Sequence, residues 1–476
     1  MNRLRQDGLA SSWSAERRLL AVACGGGLLF FYLAGSLGIH PCVDDCKTYT
    51  VAMGTHGAGR FSALFHAWRP WAVPAFFATF GSYNPQTVEA IVLTQTLLGF
   101  ASWIYLAWAL GVFLSRVMWV RRAAFALVAP LMLGQAYQRY NQWLASDSLA
   151  LTALLLLLAV CLHFLEAASH GTMTRTRRNL FTAALLGATA VLVATRDSNL
   201  LPAMATGCFL VARGWRYREL RGLLLRCFAG VCVLVLLQLP FAAQRHRYND
   251  EDIFAGWVLP SPELREYFVA HGMPADLADA GSSLTPRDLG DIRNEEVIHA
   301  RTMLEQAPSI RGFFPHFGAI YRGYLLSHPG LVAGVVTRHA EMIFDQEGPG
   351  PTGFATSRED SWQVLRYAAR FELPEPRGWA ALVVAVVIVF AYAAVWLRSK
   401  FHDGSMLRGV SALPLFLMAT GALNAILSFF GDVWEPLEMS RHAFLGSIEV
   451  RLGVAASVVF VLDYVARWSL NPRRRL

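Results

Sequence analysis

Apolar runs long enough to cross a lipid bilayer recur along this chain, and nothing else in the sequence limits its fold as severely. A helix of about 20 apolar residues spans the hydrocarbon, where every backbone N–H and C=O must be satisfied within the protein. Such runs fall at about 19–39, 88–115, 123–137, 146–168, 179–195, 199–213, 224–243, 379–397, 410–430 and 446–466. Hydrophobic residues make up 55% of the chain and charged residues 16%, a balance that excludes a soluble globular protein. The expectation is an all-α polytopic membrane protein with about ten transmembrane helices.

Charge then orients the spans. All basic residues except Lys47 and Lys400 are arginine or histidine, a bias that points to a GC-rich bacterial genome. The arginines gather at Arg3–Arg18, Arg116–Arg122, Arg175–Arg178, Arg213–Arg226, Arg398 and Arg473–Arg475. With ten crossings these segments share one side, as the positive-inside rule requires of a cytoplasmic face. Both termini are therefore expected in the cytoplasm, with the chain in a bacterial inner membrane. The net charge of +8 resides in these short loops, so nucleic acid is not an expected partner; membrane lipid is. The first run is long and has no small-residue cleavage site, so it reads as a retained span.

Three regions follow. Residues 1–243 form a seven-span module with an external loop at 40–87. Residues 244–378 form an external, mostly helical insertion, and 379–476 a three-span module. Loop 40–87 is expected to carry interfacial helices near Arg60–Trp68 and Pro70–Phe80. These would set Trp68, Trp71, Phe76 and Phe77 at headgroup level and let Arg69 snorkel. Within the insertion, Pro260–His271 and Asn294–Gln306 show helical patterning. Pro329–Phe344 is too interrupted to span and reads as an interfacial helix.

The chemistry-bearing residues fall on the external side. Directly after the first span comes His40-Pro41-Cys42-Val43-Asp44-Asp45-Cys46-Lys47-Thr48-Tyr49. Two adjacent carboxylates beside hydrocarbon either end a helix in water or serve a reaction. Asp147, Arg196, Asp197, Glu435, Glu438, Arg441 and His442 arrive at the same face from other loops. Each has an ordinary explanation. Ser146 is a good N-cap and Asp147 suits a helix start; Arg196 and Asp197 can pair; His442 can be an interfacial hydrogen-bonder. Together they would form one polar cavity at the outer boundary.

An outward site has no access to cytoplasmic nucleotide sugars. A lipid-linked sugar phosphate reaches it, with its tail in the bilayer and its phosphate facing arginines. Arg196 and Arg441 are suitably placed, and Arg451 lies slightly deeper, open to phosphate contact or to internal pairing. One carboxylate then takes the proton of an attacking hydroxyl, Asp45 or its neighbour Asp44. Cys42 and Cys46 could close a short disulfide around the acidic pair. No resident metal is expected, although a magnesium or manganese ion on Asp44 and Asp45, or a site built from His40, Cys42, Asp44 and Cys46, is the alternative use of these ligands.

This pattern resembles the GT-C superfamily of polyprenyl-phosphate-sugar glycosyltransferases, in the branch of protein O-mannosyltransferases and lipid A aminoarabinose transferases. The resemblance rests on Asp45-Cys46-Lys47-Thr48-Tyr49, Arg69-Pro70-Trp71 with Pro74, Ser146-Asp147-Ser148-Leu149, Arg196-Asp197-Ser198 and Arg441. It covers roughly the first 240 residues and the last span. It implies a GT-C-like fold and an inverting transfer from a polyprenyl-phosphate sugar to an external hydroxyl acceptor. That acceptor would be a cell-envelope glycan, lipid or protein, with Tyr49, Asp147, Asp197, Glu438 and His442 lining the site. The acidic pair here is Asp-Asp where the branch has Asp-Glu, and the insertion lies between spans seven and eight. The competing readings are a lipid-linked saccharide flippase or other transporter, and a non-catalytic envelope-assembly subunit.

Overall fold

The computed structural model describes residues 15–36, 70–82, 84–134, 138, 140–141, 144, 146–171, 173–215, 217–284, 302, 309–340, 343, 378–402, 412–431 and 436–470. Among them all regular structure is helical. The order is α1 (Ala15–Ser36), α2 (Ala72–Ala78), α3 (Pro85–Leu114), α4 (Met118–Leu133), α5 (Ser146–Ser169), α6 (Arg175–Val193), α7 (Leu200–Gly214), α8 (Arg221–Ile253), α9 (Pro262–Ala270), α10 (Ala275–Ser282), α11 (Ile310–Ser327), α12 (Pro329–Arg338), α13 (Gly378–His402), α14 (Leu413–Phe430) and α15 (Pro436–Leu470).

Five helical stretches are long and apolar enough to cross a membrane: Gln86–Leu114, Ser146–Ser169, Arg218–Pro240, Leu413–Phe430 and Ala443–Ser469. The chain is thus a helical membrane protein, with half of the ten expected spans meeting that measure among the described residues. The shortfall has a physical reason. At 1.5 Å per residue, α4 with 16 residues and α7 with 15 reach roughly 24 Å, short of the ~30 Å hydrocarbon thickness. The first turn of α6 carries Arg175, Arg177 and Arg178. Within α1 and α13 the shorter apolar stretches are Cys24–Leu33 and Ala385–Leu397.

Local chemistry sets the helix starts. Asn84 accepts from the Thr87 amide at 2.9 Å, and Pro85 occupies the first helical position of α3, where a missing N–H costs nothing. Thr174 caps α6 by accepting from the Arg177 amide at 3.3 Å. Ser146, expected as a cap, is the first helical residue of α5.

The bundle is organised around α5. Nearly all of Ser146–Ser169 is buried, enclosed by α3, α6, α7 and α15, so its unbroken apolar run serves the protein core on all sides. Beside it, α14 and α15 run closely together. A Cβ on Gly421 would stand 2.5 Å from the Gly446 carbonyl oxygen, and one on Gly453 2.6 Å from Met418. Only hydrogen at these positions lets the backbones approach so closely, the small-residue packing of membrane helices. Cys161 and Cys227 are buried, whereas Cys24 and Cys208 are exposed.

A second core lies beyond the bundle. At Ile253, α8 continues into a π turn, Phe254–Val258, which packs with α9, α10 and α11 through Phe268, Phe313, Phe317 and Tyr321. This core rests on Phe429 and Phe430 at the end of α14 and on Ala443 of α15, and Tyr321 donates to the Phe430 carbonyl at 3.0 Å. Burial and the Asp250 carboxylate both push the Tyr321 phenol well up. Position 243, expected as a module boundary, falls within the continuous helix α8. The helix expected at Pro260–His271 is α9, while Asn294–Gln306 and Arg60–Trp68 lie outside the described residues, Thr302 apart.

The ends of the bundle differ in character. One gathers Ser36, the starts of α5 and α7, Arg196, Phe430 and the first turns of α15. The other gathers Arg116, Arg121, Arg175, Arg178, Arg221 and Arg467.

Candidate functional site

The first of these ends carries a buried polar constellation. Arg196 follows α6 in extended conformation, at φ −154° and ψ 147°, just before a 3-10 turn at Asp197–Asn199. That turn is fastened to α6 from several sides. Asn199 donates to the Leu192 carbonyl and to Thr195 Oγ1, both at 3.0 Å, and Thr195 Oγ1 donates to the Leu192 carbonyl at 2.6 Å. The Ala72 amide, at the start of α2, donates to the Ala194 carbonyl at 3.0 Å. Held in this way, the guanidinium Nη1 of Arg196 reaches Asp147 Oδ1 at 2.6 Å. Asp147 is wholly buried and Arg196 only 11% exposed. A buried ion pair costs desolvation at both partners, and such a pair persists only with good geometry.

One turn away is a second polar knot centred on Asn141. Its Nδ2 donates to the Tyr32 hydroxyl at 2.9 Å and to Ser36 Oγ at 3.1 Å. Its Oδ1 accepts from Ser148 Oγ at 2.6 Å, and its main-chain carbonyl accepts from the Gln95 side chain. Tyr32, Ser36, Gln95, Asn141 and Ser148 are all buried. This amide ties α1, α3 and α5 together where Asp147 begins α5. Gly99 of α3 permits the approach, since a Cβ there would lie 2.8 Å from the Tyr32 hydroxyl oxygen.

The structure brings Asp147 and Arg196 together as an ion pair. Asp197 starts the 3-10 turn beside them. Arg451 is partly buried on α15. Glu438, Arg441 and His442 occupy the first turns of α15, and their side chains are outside the described set. Asp44, Asp45, Tyr49, Cys42, Cys46 and Glu435 lie outside the described residues. The described chain leaves this end at Ser36, inside the Asn141 knot, and re-enters at Pro70, two residues before the Ala72–Ala194 bond. Phe444, two residues after His442, packs against Tyr140 with ring centroids 4.0 Å apart. Of the residues expected at headgroup level, Phe77 is buried against Val88 and Ile91, Phe76 is partly buried and Trp71 is exposed.

Sequence reasoning missed Asn141, in the stretch between α4 and α5, and Gln95, hidden in an apolar run. The available signal was Gln138 and Asn141 at helical spacing in that stretch. It also passed over Glu449 of α15 as a site. This residue is fully buried, and neither carboxylate oxygen has a hydrogen-bond partner among the described residues. No group of three or more metal-ligating side chains occurs among the described residues.

Compared with family models, curated proteins and solved structures, the chain matches none.

Proposed function

We propose that the chain is an inverting glycosyltransferase of the GT-C type, which moves a sugar from a polyprenyl phosphate to an external hydroxyl at the outer face of the bacterial cytoplasmic membrane. In this reading Asp45, or Asp44 beside it, takes the acceptor proton. Arg196, with Arg441 and Arg451, faces the donor phosphate as it leaves. The carrying observation is Arg196: a nearly buried cation, oriented by Asp147 at 2.6 Å, at the bundle end where the segment bearing the acidic pair begins and ends. A cation already fixed in a water-poor setting is what a phosphate leaving group needs, because no reorganisation is then required as charge develops. Asp147 keeps the guanidinium oriented through a charge-assisted hydrogen bond.

The test is a glycan and lipid profile by mass spectrometry in three strains: wild type, a deletion, and the deletion carrying Asp45→Ala at matched expression. One sugar missing from an envelope glycan in both mutants, with the sugar phospholipid accumulating, is the expected result. A wild-type profile restored by Asp45→Ala overturns the role given to Asp45. A product that keeps the donor's anomeric configuration overturns inversion.

A lipid-linked saccharide transporter is the second reading, and Glu449 is what favours it, since an intramembrane carboxylate marks a transport path more often than a packing site. Glu449→Gln separates the two. Transfer to the acceptor continues in that variant if the chain is the transferase, and translocation of the lipid-linked saccharide stops if it is the transporter.

A further inference from the structure

The core beyond the bundle has a concavity of its own, remote from Asp147. It holds about 270 Å³ between the end of α9 and the start of α11, and its walls include His271, Ser309, Gly312, Phe313, His316 and Ile320. Phe313 and Ile320 give it an apolar side. On the other side, His271 Nδ1 lies 2.7 Å from the Tyr267 carbonyl oxygen. A carbonyl only accepts, so Nδ1 is the donor of this bond and Nε2 is not used in it. His316 makes no hydrogen bond or ion pair among the described residues. Ser309, in the wall, donates to the Asp276 carboxylate at 2.5 Å, which sets a negative group next to the lining hydroxyl. A Cβ on Gly312 would meet nothing within 4 Å, so the space in front of that backbone is open.

We propose that this concavity binds a saccharide ring of a glycan. The lining selects that class by elimination. The Asp276 carboxylate held by the lining Ser309 disfavours anions. A metal ion lacks a third ligand among the described residues. A purely apolar ligand would strand two imidazoles and a hydroxyl. A pyranose satisfies both walls, with C–H groups against Phe313 and hydroxyls on the imidazoles and Ser309. The volume suits one ring rather than a chain, at the low end of small-molecule sites. From Phe313 to Tyr321, which touches the end of α14, α11 extends roughly 12 Å at its rise per residue. A glycan of a few sugars gripped here can therefore reach the bundle end. In the transferase reading, on which only this last step rests, the concavity holds an acceptor glycan away from its reacting end.

The experiment uses the full chain in nanodiscs, without donor and without sugar-based detergent. Saturation-transfer NMR is run against methyl α- and β-pyranosides of glucose, mannose, galactose and N-acetylglucosamine. Ring-proton transfer from at least one glycoside is expected, weakened ~10-fold or more by His316→Ala and by Gly312→Leu, as loss of oriented polar contacts or of space implies. Gly312→Leu fills the cavity and improves helix propensity, so it should hold or raise the thermal midpoint while removing binding. No transfer from any glycoside, or transfer undiminished in both variants, overturns the proposal. Because no donor is present, either outcome is independent of the Asp45 strain comparison.

Discussion

Two buried aspartates stand at opposite ends of the bundle, and at first sight they are alike. Asp147 pairs with Arg196 at 2.6 Å, and Asp463 with Arg467 at 2.7 Å. Both carboxylates are essentially inaccessible. The partners differ. Arg467 is one turn along the same helix and 36% exposed, and Ser115 of the α3–α4 turn donates to Asp463 Oδ1 at 2.5 Å. That turn closes on itself, since Ser115 Oγ also accepts from the Val117 amide and the Ser115 carbonyl accepts from Arg121. Everything around Asp463 is spent on fastening one loop to α15. Arg196 comes from a separate element and is shielded from water, and the Ala72 amide of α2 is bonded to the Ala194 carbonyl two residues before it. A buried ion pair is therefore no functional signature by itself; what marks the Asp147 end is a cation held in place by more than its own neighbours.

The largest expected effect separates the two ends by activity. Asp45→Asn should lower transfer ~10²–10⁴-fold, the usual contribution of a general base, with the thermal midpoint unchanged. Arg196→Ala should lower transfer at least as strongly. Asp463→Asn should leave the rate of correctly folded protein unaltered. Transfer assays on purified variants at equal folded concentration check this, and a rate collapse in Asp463→Asn without loss of fold would erase the distinction drawn here.

Stability gives the next contrast. Arg196→Ala leaves Asp147 buried without its cation and should cost about 3–5 kcal/mol. Arg196→Met combined with Asp147→Leu replaces the pair with apolar groups and should recover most of that loss while remaining inactive. Thermal unfolding of the two single variants and the double variant checks this. Recovery of both stability and transfer in the double variant would make the pair purely structural.

The same contrast explains how much could be read from residues alone. Hydropathy revealed the membrane class and the long helices, because lipid enforces internal hydrogen bonding and allows few alternatives. Asp147 and Arg196 stood out because charges at span ends are conspicuous. Their partnership did not, since it links positions 49 apart and depends on the 3-10 turn that re-aims Arg196. Asn141 escaped because an amide in a loop is ordinary until tertiary packing seals it. The aromatic core of α9 and α11 escaped too, although Phe313, Phe317, Tyr321 and Tyr324 recur at helical spacing, because polarity suggested only a solvated region. The short helices α4 and α7 looked like full spans because hydropathy counts residues and ignores where a chain must turn.

The Asn141 knot supplies an intermediate effect. Asn141→Ala removes the common partner of Tyr32, Ser36 and Ser148 in one step. At roughly 1–3 kcal/mol for a buried group left unpaired, it should destabilise less than breaking the ion pair does. It should also lower transfer, because α1 leads into the acidic segment from this knot. Loss of stability with full transfer in the folded fraction would detach α1 from the site.

The smallest effect belongs to Ser115→Ala, and it is the sharpest control. The substitution removes the bond to Asp463 and the acceptor for the Val117 amide, yet Arg467 stays one turn away to hold the carboxylate. Arg467 is partly solvated, so its attraction is screened and worth little alone, but it relieves the penalty of an isolated buried charge. The net loss should be about 1 kcal/mol, a small drop in thermal midpoint with no change in transfer. Raising the salt concentration should enlarge the loss in Ser115→Ala more than in wild type, since the variant relies on the screened pair. A salt response equal to that of wild type would mean that Ser115 carries the turn by itself. The two buried aspartates would then differ even in the kind of interaction that holds them.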